Sequence, residues 1–306
     1  MYQTVRTLTI GFSLSLFIVS CRKEKVSAPE AAATPEVAWH DQQTPVSMSA
    51  DLLRTSSDNM ALGNPSGAVA DPAQYTNYLM VKTQYSLSYN RDRATPNWVS
   101  WHLDPTWLGT TARQDNFSAD ATLPTGWYRV GSTSYSGSGF DRGHNCPSAD
   151  RTYSVADNSA TFLMTNMIPQ APTNNQQTWA NLENYARTLV NQGNEVYIIM
   201  GSYGTGGTGS SGTFNTIDAG RITVPNRIWK VLVVLPQGTG DLSRITTSTR
   251  VIAVNTPNTN SVSTTWGSYR TTVDAIEAAT GYNLLSNVSS TIQSTIESRV
   301  DSGPTQ

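Results

Sequence analysis

Phe140–Asn184 reads FDRGHNCPSADRTYSVADNSATFLMTNMIPQAPTNNQQTWANLEN, and three kinds of segment succeed one another in it. Asp141-Arg142-Gly143-His144 and Pro147-Ser148-Ala149-Asp150-Arg151 make a polar opening. The run TFLMTNM then reads as a strand ending near Thr165-Asn166. After Asn175-Gln176 a helix is predicted over residues 177–192. Its apolar stripe is Trp179, Leu182, Tyr185, Ala186, Leu189 and Val190, and Gly193 supplies the stop.

The residue types in this stretch suit one chemistry. An unperturbed imidazole has a pKa of about 6.5, so near neutral pH it is largely in the form that can take a proton from water. Of the histidines His40, His102 and His144, only His144 sits beside an arginine and a glycine. A phosphodiester attacked by water gains negative charge on its non-bridging oxygens, and a guanidinium fork matches that geometry. Arg142 lies in the motif itself. Zinc is poorly supported, because no histidine or cysteine pair has zinc-ligand spacing and there is no HExxH. Mg²⁺ keeps several of its waters, so a site with a single amide or carboxylate ligand is compatible with this inventory.

The order DRGH, PSADR, Asn166, Asn175-Gln176, Trp179 and Glu183 closely resembles the DNA/RNA non-specific endonuclease family, a branch of the ββα-metal or His-Me finger nucleases. The resemblance extends from about Tyr75 to Val300. It implies His144 as general base, Asn175 as ligand of Mg²⁺ (with Mn²⁺ as substitute), and Glu183 holding waters around the ion or an arginine. Adjacent Asn174 leaves the ligand register open by one. Arg113, in TTARQDNFSAD, matches the family's upstream arginine and stands as far before His144 as Asn175 stands after it. Arg91, Arg93 and Arg151 are alternatives for the phosphate contact. Asp141 and Asn166 are read as support, orienting His144 or its loop. Cys146 is read as a small buried thiol, since no second base accompanies it. The activity implied is endonucleolytic hydrolysis of DNA and RNA to 5′-phosphate ends. The competing reading is a nucleic-acid-binding surface lipoprotein without catalysis.

Outward from this segment, QYSLSYN and NWVSWHL alternate in character and read as neighbouring strands, followed by EVYIIMG, RITVP, IWKVLVVL and RVIAVN. Two further helices are predicted, over 272–280 before Gly281 and over 290–300. Strands dominate with helices interspersed, so the fold class is α+β: a mixed or antiparallel sheet core carrying a ββα-metal motif. Trp98 and Trp101 are read as core. Gly204–Gly209 satisfies GxGxxG, but no helix follows to receive a pyrophosphate, so it reads as a surface turn.

The chain has 306 residues and a formal charge of −2, with 14% charged and 38% hydrophobic residues. That balance excludes a basic nucleic-acid coat and confines any attraction for polyanions to a local cluster of arginines. At the start, one arginine precedes an apolar run from Leu8 to Val19, too short for a comfortable span, and Ile18-Val19-Ser20-Cys21 resembles a bacterial lipobox. Residues 1–20 are accordingly expected to be a lipoprotein signal peptide. Residues 21–55 would be lipidated Cys21 with a Pro/Ala/Glu-rich spacer, and 56–306 one catalytic domain. The expected location is the bacterial cell envelope, held at the membrane through Cys21. The expected substrates are DNA and RNA, and no protein partner is evident.

Overall fold

The computed structural model describes residues 58–306, so the leader, Cys21 and the spacer lie outside the described residues. The strands, in chain order, are β1 (Tyr78–Val81), β2 (Ser86–Asn90), β3 (Thr95–Leu103), β4 (Asp141–His144), β5 (Met167–Gln170) and β6 (Asn194–Tyr203). They continue as β7 (Gly207–Gly209), β8 (Gly212–Phe214), β9 (Thr216–Ile217), β10 (Ile222–Thr223), β11 (Arg227–Pro236), β12 (Arg250–Pro257) and β13 (Arg270–Thr271). The α-helices are α1 (Val155–Ala160), α2 (Ala180–Asn191), α3 (Asp241–Arg244), α4 (Val273–Thr280) and α5 (Ser290–Ile296).

Seven strands form one antiparallel sheet in the order β1-β2-β3-β6-β11-β12-β13. Its central strands are buried at nearly every position because both faces are covered, and alternation sends successive side chains to opposite sides. Val99, Trp101, Val196, Ile198, Met200, Ile228 and Leu232 share one core with Trp179, Leu182, Tyr185 and Leu189 of the α2 region. Trp98, Tyr197, Ile199, Trp229, Val231 and Val233 share the other with Val273 and Ile276 of α4 and Ile296 of α5. Trp98 and Trp101 are both fully buried, on opposite faces, as core residues.

The α+β class with its antiparallel sheet and ββα motif is what the sequence implied. Four local expectations are corrected. TFLMTNM is not one strand: Met164–Asn166 is a 3-10 turn, and the strand begins only at Met167. The turn is fixed by Asn166, whose side chain donates to the Cys146 and Thr161 carbonyls and accepts from the Cys146 amide. DRGH, for which the sequence predicts no element, is a strand, β4, paired antiparallel with β5 so that Gly143 faces Ile168 and His144 faces Met167. RITVP contributes only the short β10. The last helix ends at Ile296 rather than Val300. The helix over 272–280 is found as α4, with Thr272 capping the Ala275 amide and Gly281 left-handed at its end (φ 77°).

The helix predicted over 177–192 also begins differently. Asn174–Trp179 is a π-helical segment that leads into α2. Its entry is held from outside: the side chains of Asn258 and Asn260 accept from the Ala171 and Thr173 amides, and Thr178 donates to the Ser263 carbonyl. GxGxxG is an exposed turn only at Gly204 and Thr205; Gly207–Gly209 form strand β7 of the β7–β8 hairpin, with Gly207 and Gly209 buried, and no helix follows. Among the described residues no helix is long and apolar enough to cross a membrane.

Candidate active site

The β4–β5 ribbon and the π segment meet over one face of the large sheet. Between them lies a cavity of about 200 Å³ lined by Arg113, Arg142, His144, Ser148, Asn175 and Glu183. It adjoins a groove of about 400 Å³ that shares Arg113, Arg142 and Asn175 and extends past Phe117 and Tyr135. All five residues singled out from the sequence therefore border one space.

Strand alternation places Arg142 and His144 on the same side of β4. Gly143 between them is required by close approach: a Cβ there would stand 2.3 Å from Gln170 Oε1 and 2.6 Å from Gln170 Cβ. The packed Gln170 in turn donates to Asn174 Oδ1, and Asn174 donates to Thr256 Oγ1 and the Pro257 carbonyl. Asn174 is thus consumed in the core, whereas Asn175 faces the cavity. Asn175 Nδ2 donates to Asp141 Oδ2 at 2.8 Å, a carboxylate oxygen that also accepts from Gln176. This bond orients the amide and leaves Asn175 Oδ1 as the atom available to a cation.

The His144 ring is clamped edge-on by Phe117 and Phe162, with centroids 5.6 and 5.0 Å away. The same two aromatics carry the arginines: the Arg142 guanidinium lies 3.7 Å from the Phe117 centroid, and that of Arg113 lies 4.8 Å from Phe162. Arg113 is further held by Asp115 and by Ser148 Oγ, at 2.7 and 2.9 Å. His144 Nε2 is enclosed and has no hydrogen-bond partner among the described residues. Burial, reinforced by Arg113 and Arg142, pushes the His144 pKa down to about 3, so the ring is neutral through the physiological range.

Glu183 reaches the cavity from α2, one turn beyond the π segment. Its Oε1 is 3.0 Å from Nζ of Lys230, a fully buried lysine on β11 between Trp101 and Trp179. Burial raises the Glu183 pKa, while Lys230 and Arg187 oppose the shift. Arg187 is itself paired with buried Asp150 at 2.6 Å, and Asp150 accepts from Trp101 Nε1. Sequence reading missed this charge network and the two phenylalanines. The one visible signal for the network was a lysine inside the apolar strand IWKVLVVL.

The alternative arginines are occupied elsewhere. Arg151 is fully buried and donates to the carbonyls of Gln84, His102 and Asp150. Arg91 packs on Tyr75 and pairs with Asp92, and Arg93 donates to the Gly204 carbonyl. Cys146 is a free, buried thiol whose pKa is pushed up to about 12, chiefly by burial. His102, Asp104 and Glu195 bring ligand atoms within 4.8 Å of one another. There Glu195 is already engaged by His102 and Arg244, and Asp104 accepts from Thr106.

Residues 62–291 match the DNA/RNA non-specific endonuclease family. A nuclease from Nostoc sp. is 51% identical over 252 residues, spanning 82% of this chain and 89% of that protein. Bovine mitochondrial endonuclease G is 28% identical over 245 residues, spanning 76% of this chain and 78% of its own. In fold, the chain superposes on a chain of the EndoG/EndoGI complex crystal structure with a TM-score of 0.61 at 22% identity. That match covers 76% of this chain and 91% of the other. With three quarters of its length matched, the chain belongs to the DNA/RNA non-specific endonuclease family and is a nuclease of the hydrolase class.

Proposed function

We propose that this endonuclease hydrolyses both DNA and RNA in a Mg²⁺-dependent reaction, with His144 as the general base and 5′-phosphate ends as products. The observation that carries the reading is the convergence of a neutral imidazole, two aromatic-backed guanidinium groups and an amide oriented by Asp141 on one cavity.

His144 takes the proton from the attacking water. Arg113 and Arg142 face the non-bridging oxygens and offset the charge that grows there. Their aromatic and hydrogen-bonded backing means that little ordering is left to do when substrate arrives. Asn175 Oδ1 fits a hard cation by its chemistry and by the Asp141 bond that aims it, with Glu183 as the nearby carboxylate. When bound, Mg²⁺ supplies Lewis-acid stabilisation of the phosphate and leaving oxygen, and Mn²⁺ is its natural substitute. Contacts confined to phosphate oxygens leave base and 2′-hydroxyl unread, which is why both nucleic acids serve.

Supercoiled plasmid and a structured RNA are both expected to be cut by the purified protein in Mg²⁺ or Mn²⁺ and to survive in EDTA. The cut ends should ligate without kinase treatment. Two intact substrates in Mg²⁺, or undiminished cutting in EDTA, would sink the reading.

The proposal includes placement at a bacterial cell envelope, the outer membrane first, through lipidated Cys21. Support comes from the Leu8–Val19 run and the Ile18-Val19-Ser20-Cys21 sequence. Mass spectrometry of the mature amino terminus is expected to find an acylated cysteine at position 21. A terminus elsewhere, or an unmodified Cys21, counts against the anchor.

A further inference from the structure

On the face of the sheet away from the nuclease cavity, α4 and the end of α5 bring three carboxylates together. Asp274 and Glu277 lie one helical turn apart on α4, and Glu297 is the cap residue that follows α5. Each offers a carboxylate oxygen, and these oxygens lie within 4.8 Å of one another. The two helices are tied there by the Asp274 amide donating to the Glu297 carbonyl at 3.2 Å.

Acidic residues crowd together on many surfaces without meaning, but Glu297 differs from a surface carboxylate. It is 5% exposed, and its Oε1 is enclosed with no hydrogen-bond partner among the described residues. The titratable neighbours that act on it, Glu277 and Asp274, are both acidic. No Lys or Arg among the described residues pairs with any of the three. Arg299, two positions on, is turned to the Thr247 carbonyl. Glu277 is aimed by the Leu284 amide, which donates to its Oε1 at 2.7 Å. Asp274 closes the group on the exposed side, so water has access.

A buried, unpartnered carboxylate beside two others is costly unless something positive joins it. We propose that Asp274, Glu277 and Glu297 bind a calcium ion that staples α4 to α5. Oxygen atoms on opposite sides of a Ca²⁺ ion stand about 4.6–5.2 Å apart, given bond lengths of 2.3–2.6 Å, so three carboxylate oxygens no more than 4.8 Å from one another fit within one sphere. Ca²⁺ also accepts irregular geometry and completes 6–8 ligands with water, which the open Asp274 side admits. Mg²⁺, with near-ideal octahedral demands, is the poorer match.

Val273, Ile276 and Ile296 pack in the core opposite to that of Trp179 and Leu182, so the calcium site and the nuclease cavity are separable by mutation. The test uses the intact chain carrying Asn175→Ala, which disables the cavity's cation ligand. Equilibrium dialysis with ⁴⁵Ca²⁺ should find one bound ion. For a dissociation constant near 0.5 mM, 5 mM Ca²⁺ should raise Tm by about 3–6 °C over EDTA. Adding Glu297→Gln, which removes a like charge and keeps the shape, should abolish both effects while leaving Tm in EDTA at or above the parent's. Exposed Asp274→Asn gives an independent arm with the same expected loss. Equal Tm in Ca²⁺ and EDTA, or a calcium-dependent rise that persists in Glu297→Gln, overturns the proposal.

Discussion

Replacing His144 by alanine is expected to lower kcat by about 10²–10⁴-fold at saturating Mg²⁺, the usual worth of a general base, while KM for plasmid changes less than about threefold. The split follows from how the site is built. Arg113 is fixed by Asp115, Ser148 and Phe162, and Arg142 by Phe117 and the Ser132 carbonyl, so neither depends on the imidazole for its place. The pH profile carries the same signature. Because the folded pKa of His144 is depressed, the protonated, inactive form is reached only well below the ordinary histidine range. The kcat/KM of the wild type should therefore show no fall of histidine origin between pH 7 and about 5. The linkage has the matching sign: the unfolded chain binds this proton first, so acid erodes stability once pH drops below about 6.5, and His144→Ala loses that component. Turnover of His144→Ala at the wild-type rate, or a raised KM with unchanged kcat, would remove His144 from the role of base.

Much of this site is legible in the amino-acid sequence. His144 and Arg142 stand out by residue type and motif, Arg113, Asn175 and Glu183 through the family resemblance, and all five border one cavity. The strands carrying alternating aromatics and β-branched residues were legible for the same reason, since a two-faced sheet leaves an unmistakable apolar run. What escaped reading was set by contacts distant in sequence. DRGH has no strand propensity, and β4 exists because β5 pairs with it. Whether Asn174 or Asn175 faces the cavity depends on Gln170, Thr256 and Pro257, which claim Asn174. The π segment is invisible to a 3.6-residue period.

Lys230→Ala is expected to cost about 2–4 kcal/mol of unfolding free energy, the scale for breaking a buried ion pair, reduced somewhat because the Glu183 side chain is 16% exposed. The lysine is the nearest positive charge to Glu183, and it fills space between two tryptophans, so both electrostatics and packing are lost. Lys230→Met separates the two. It keeps most of the volume, leaves Glu183 with only Arg187 to offset its charge, and should remain well below wild type. In Lys230→Met/Glu183→Gln more than half of that deficit should return, because no charge is stranded. The sign with pH is fixed by Glu183. Burial already raises its pKa, and removing Lys230 raises it further, so the single variant's deficit should widen from pH 5 to pH 8. Urea unfolding at both pH values reads this directly. A loss under about 0.5 kcal/mol, or a double variant no better than Lys230→Met, would show that the pair contributes little.

The π turn at Asn174–Trp179 holds one residue more than an α-helix of the same span would use. Local backbone energy and catalysis therefore pull against each other at this one turn. Shortening it by a residue would let the hydrogen-bond ladder run unbroken into α2, yet would swing Asn175 around the axis, away from Asp141 and the cavity. Programmes that seek a more heat-resistant nuclease by regularising helices would meet here a gain in folding set against the loss of Asn175 from the cavity, and should place their substitutions elsewhere.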